Sequence, residues 1–91
     1  MSIFGSSKKR ISKNEWDEIQ NRLYSRGFSK RERDEAEKIF HGSLDESQET
    51  ERGIDAEELV KALEYMRKNK SAHGLSDEKI NILEEELKNK L

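Results

Sequence analysis

Apolar side chains recur at three- and four-residue spacing in four groups along this chain: Trp16, Ile19 and Leu23; Ala36, Ile39 and Phe40; Leu59, Leu63 and Met66; Ile80, Leu83, Leu87 and Leu91. Positions three and four apart share one face of an α-helix, so each group marks a single buried stripe on an otherwise charged helix. The spacing predicts helices over residues 13–26, 30–41, 56–70 and 77–90. Val60, Tyr65 and Ile82 fall beside the stripes, where they either widen a buried face or stay exposed.

The helix starts carry a repeated phrase. Gly27-Phe28-Ser29, Gly53-Ile54-Asp55 and Gly74-Leu75-Ser76 each precede a charged helical run. Glycine tightens the turn, Ser or Asp caps the unpaired amides of the next helix, and the apolar residue between them can begin a hydrophobic staple. Ser29 with Glu32 and Asp55 with Glu58 have the spacing of capping boxes, and Ser12 with Glu15 repeats it without the glycine. Ile54 can staple to Leu59 and Leu75 to Ile80, whereas Phe28 meets Arg33 at that position. The first two helices lie close enough for a tight hairpin or corner. Between the second and third, residues 42–54 form a long acidic loop. His41 and His73 each stand beside a glycine, where an imidazole can hold helix-end carbonyls. The fold class expected is all-α: a small four-helix bundle or a pair of helical hairpins over residues 11–91. Residues 1–10, ending Ser6-Ser7-Lys8-Lys9-Arg10, are expected to form a disordered, solvated tail.

Composition narrows the class. With 42% charged and 31% hydrophobic residues the core must be thin, and with no cysteine it lacks disulfide or thiolate support. Dimerisation would be one way to bury more surface. No stretch has the ~18 apolar residues of a membrane span, and the expected location is the cytoplasm. Charge is divided unevenly: nine Lys/Arg against four Asp/Glu in residues 1–33 (+5), and nine against sixteen in residues 34–91 (−7). Such polarity points to charged partners.

Candidate chemistry is sparse. No nucleotide loop, zinc motif or nucleophile elbow occurs, so no catalytic residue is assigned and an enzyme is not expected. The main expectation is a non-enzymatic protein-interaction or regulatory module with an unidentified protein partner. Its candidate contacts are the aromatic residues Trp16, Tyr24, Phe28 and Tyr65; Trp16 shares the stripe of Ile19 and Leu23 and is first a core candidate, and Tyr24 and Tyr65 suit an interface rim.

Gly53-Ile54-Asp55-Ala56-Glu57-Glu58-Leu59 resembles the second half of an EF-hand, in which an aliphatic residue precedes the exiting helix and a Glu supplies a bidentate ligand. The resemblance implies calcium as the ligand, with Asp45, Glu49, Glu51, Asp55 and Glu58 as its oxygen donors. Counting Glu58 as the twelfth position puts Arg52 where the sharp-turn glycine belongs. Counting it as the fourteenth starts the loop at Asp45, as in longer pseudo-EF-hand loops. In the plainer reading Asp55 and Glu58 only cap the next helix. A third reading, nucleic-acid binding through residues 8–33, rests on Arg26, Lys30 and Arg31. Phe28-Ser29-Lys30-Arg31-Glu32-Arg33 resembles the opening of the LuxR-type DNA-binding helix, but the third helix begins Ala56-Glu57-Glu58, which phosphate would repel.

Overall fold

The computed structural model describes residues 9–45 and 53–91. Among them the architecture is all-α, with helices α1 (Lys13–Ser25), α2 (Lys30–Leu44), α3 (Ala56–Lys68), α4 (Lys70–His73) and α5 (Asp77–Lys90). The long acidic loop falls largely on residues 46–52, outside the described residues, as do Met1 to Lys8 of the N-terminal segment.

Helix starts follow the sequence closely. Ser12, Ser29 and Asp55 all accept from the amide three residues on, and Glu15, Glu32 and Glu58 return the bond in full capping boxes. Ser76 caps α5 by accepting from Lys79 N–H. Gly27, Gly53 and Gly74 all take positive φ, while Phe28, Ile54 and Leu75 between glycine and cap are buried. The repeated phrase is thus one device used three times: a turn, an anchor and a cap.

Helix ends differ from expectation. α2 does not stop at His41 but runs through Gly42 to Leu44, because Leu44 continues the stripe of Phe40 and is buried. α3 stops at Lys68 rather than residue 70: Asn69 leaves helical geometry and its side chain bonds Tyr65 C=O at 2.9 Å. The single turn α4 follows and ends at left-handed Gly74.

One hydrophobic cluster joins α1, α2, α3 and α5. α5 packs against both α1 and α3, α1 against α2, and α4 bridges α2 and α3. Trp16 and Phe40 meet at the centre with ring centroids 5.5 Å apart. Each fully buried large side chain contributes roughly 1.5–3 kcal/mol relative to exposure, so truncating Leu83 or Leu87 removes a sizeable share of a small domain's stability.

The segment before α1 is tied to the segment before α3. Ile11 and Ile54 exchange two backbone hydrogen bonds, at 2.8 and 3.0 Å, in an isolated antiparallel bridge. Arg10, expected at the end of a solvated tail, instead reaches Asp55 and Glu58 at 3.6 Å. Gly53 N–H donates to Ser43 C=O at 2.7 Å, which brings the end of α2 to the start of α3.

Candidate functional site

A groove of about 600 Å³ runs between α2 and α3. α2 contributes Glu35, Lys38, Ile39 and Ser43, spaced to share one flank, and α3 contributes Glu58, Lys61, Ala62 and Tyr65 in the same way. Ala72 and His73 of α4 close one end. Ile39 and Ala62 are half-buried and pack on the core, so the floor is apolar. Tyr65 stands beside them with 47% of its surface exposed.

The closing end is rigidly built. The His73 ring is buried; its Nδ1 accepts from Leu75 N–H at 3.0 Å, and its Nε2 lies 2.8 Å from Met66 C=O. An acceptor at Nδ1 and a carbonyl at Nε2 require the proton on Nε2. Each bond satisfies a backbone group left over where a helix ends or begins. His73 therefore holds helix-end groups as its position beside Gly74 suggested. Arg31 then donates to His73 C=O at 3.3 Å, fastening α2 to α4. His41 differs: it is exposed within α2 and pairs with Asp45 at 2.9 Å.

The charged side chains of the walls are mostly engaged. Glu35 pairs with Lys38 at 3.2 Å, and Glu58 accepts from Asp55 N–H while facing Arg10. Lys61 has no ion pair among the described residues and is exposed.

Of the four aromatic candidates, the structure separates two from two. Trp16 and Phe28 are core residues, 0% and 2% exposed, and are corrected here as interface candidates. Trp16 Nε1–H donates to Glu37 at 3.4 Å, and Lys79 Nζ lies 5.0 Å from the centre of the Phe28 ring. Burial of Phe28 follows from its place between glycine and cap. Tyr24 is 67% exposed beneath the Arg33 guanidinium, away from the groove that Tyr65 lines. Ile39, Ala62 and Ala72 were missed as site residues; the available signal was that Ala62 and Tyr65, three apart, flank the Leu59–Leu63–Met66 stripe.

The other candidates are occupied by structural bonds. Arg26 binds Glu85 and Glu86 at 2.9 and 3.0 Å, Lys30 binds Asp34 at 3.0 Å, and Arg31 holds α4. Asp55 and Glu58 cap α3 and face Arg10, and Asp45 pairs with His41. Glu49 and Glu51 lie outside the described residues. Among the described residues no group of three or more His, Asp or Glu side chains is placed to hold a metal ion.

No family model, curated protein or solved structure matches this chain. Among the described residues no helix is long and apolar enough to cross a membrane. The functional reading therefore rests on the groove and its chemistry.

Proposed function

We propose that this chain is a non-enzymatic protein-interaction module and that the groove between α2 and α3 is its docking surface. The observation that carries the reading is Tyr65, nearly half exposed beside the apolar floor of Ile39 and Ala62. Aromatic side chains in apolar depressions are the usual anchors of protein interfaces, since one ring buries much surface at little entropic cost. A small-molecule site would need several convergent polar groups, whereas Glu35, Lys38 and Glu58 already bind other residues of this chain. The groove's end is set by His73 and Arg31 before any partner arrives, which lowers the ordering cost of association. The cysteine-free composition accords with a cytoplasmic setting.

The test places a photoreactive side chain at Tyr65 or, separately, at Tyr24, and compares the cross-linked products formed in cells. Adducts should form from position 65, be few from position 24, and disappear when Ala62→Arg fills the groove floor while the thermal melt shows the fold intact. Equal yields at both positions, or adducts indifferent to both Ala62→Arg and Ile39→Glu, would remove the groove as the docking surface.

A further inference from the structure

We infer that the occupant of the groove is an acidic amphipathic helix, its apolar face on Ile39, Ala62 and Tyr65 and a carboxylate on Lys61. The inference rests on the docking surface proposed above and adds the conformation and charge of the partner.

The shape argues for a helix. The α2 wall extends from Glu35 to Ser43, eight residues or about 12 Å of helix, which matches two turns of a helical partner. Two helix flanks with an apolar floor accept the i, i+3, i+4 and i+7 side chains of a third helix in the way helix-in-groove complexes do. Adding an extended strand instead needs a sheet edge, and the described residues contain no sheet, only the single bridge in which Ile11 and Ile54 bond one another.

Charge complementarity sets the sign. Three of the four charged residues in the groove walls already face partners within the chain: Glu35 pairs with Lys38, and Glu58 shares Arg10 with Asp55. Lys61 is left, one turn before Tyr65 and beside Ala62, exposed and without an ion pair among the described residues. Lys68, two turns after Lys61, is also exposed without an ion pair among the described residues. Neither Lys68 nor Glu64, the neighbouring acid without an ion pair among the described residues, lines the groove, so the charge at its floor is set by Lys61. A partner carboxylate over the floor would therefore meet a cation, whereas a partner lysine would meet an uncompensated like charge, and specificity arises from that difference.

The test is a selection of displayed helical peptides, with Leu at the apolar positions and Asp, Glu, Gln, Lys or Arg at the flanking ones, against the full chain and against Lys61→Glu. Binders are located by the NMR shifts of Ile39, Ala62 and Tyr65. Groove-located binders should favour Asp or Glu over Lys or Arg by about threefold or more, as a partly exposed ion pair warrants, and the preference should invert on Lys61→Glu. Groove-located binders with no acidic preference, or with one that Lys61→Glu leaves unmoved, would overturn the assigned charge while keeping the docking surface. If every binder maps elsewhere, the docking surface itself fails and this inference with it.

Discussion

At the scale of single residues, Gly53 and Gly42, at the two ends of the long acidic loop expected from the sequence, behave oppositely. Gly53 has φ +107°, and a Cβ there would stand 2.7 Å from Ile11 C=O and 3.0 Å from Arg10 Cβ. The left-handed backbone and the close approach of the Ile11 carbonyl both require its missing side chain. Gly53→Ala must either strain the backbone or open the bridge between Ile11 and Ile54, and should cost about 2–3 kcal/mol in urea denaturation. Gly42 lies inside α2 without a positive φ, and a methyl group there would meet nothing within 4 Å. Gly42→Ala should stabilise the protein by about 0.5–1 kcal/mol, because alanine loses less backbone freedom in a helix. A destabilised Gly42→Ala would show that α2 does not continue to Leu44 in solution. His73 gives a third test at this scale. His73→Leu keeps the volume but strands Met66 C=O and Leu75 N–H, and should cost about 2–4 kcal/mol by the same measurement. An unchanged midpoint would mean that the ring packs without those bonds.

Among the elements, local rules and tertiary contacts compete most openly at the start of α5. Ser76 caps α5, but Lys79 stands where a capping box would place Glu. Lys79→Glu would complete the local motif. It would also remove an ammonium that donates to Gly27 C=O and to Glu32, both at 2.9 Å, and that lies over Phe28, thereby tying α5 to the turn between α1 and α2. The expected result is a loss of about 1–3 kcal/mol, since two charge-assisted bonds outweigh one capping contact. A higher melting temperature for Lys79→Glu would mean that the local cap dominates. The same contest explains what the sequence revealed. Caps and stripes depend on neighbours within one turn, so the starts of α1, α2, α3 and α5 and the all-α class were legible from residues such as Ser29-Glu32 and Asp55-Glu58. Pairings across helices were not. Glu18 with Arg22 and Glu86 with Lys90 have ideal spacing for surface pairs, yet Lys90 binds Glu18 and Arg22 binds Glu86, because packing α5 on α1 brings those groups together. Glu84 with Lys88, by contrast, forms as its spacing suggests. The groove was illegible for the same reason: Ala62 and Ile39 become neighbours only once the facing flanks of α2 and α3 are known.

For the molecule as a whole, the electrical asymmetry read from the sequence becomes an interface between its two ends. Arg22 and Arg26 of the basic first third clasp Glu86 of the acidic last helix, with Glu85 joining at Arg26. Burial pushes the Glu86 carboxyl upward, but hydrogen bonds from Arg22 and Arg26 outweigh it and hold the group below its ordinary value of 4.5. Glu32 is lowered by the Ser29 N–H and by Lys79, and Glu84 by Lys88 and Arg67. All three shifts have the same sign: the folded state favours the ionised carboxylate, so their contribution is complete above about pH 4.5 and is lost as pH falls through the lowered folded values. Their contribution to the melting temperature should therefore be level from neutrality to about pH 5 and fall below it. Glu86→Gln keeps the shape and part of the hydrogen bonding but removes the charge. Because Arg22 is reached by solvent, the pair is screened, and the loss at neutral pH should be near 1 kcal/mol, or about 4–8 °C for a domain of this size. Below pH 4.5 the gap between the variant and the parent should narrow, and it should close once pH has fallen through the lowered Glu86 value, since both then carry an uncharged group at this position. A constant gap between the two curves down to pH 3 would show that Glu86 acts through packing alone and that the join between α1 and α5 is not electrostatic.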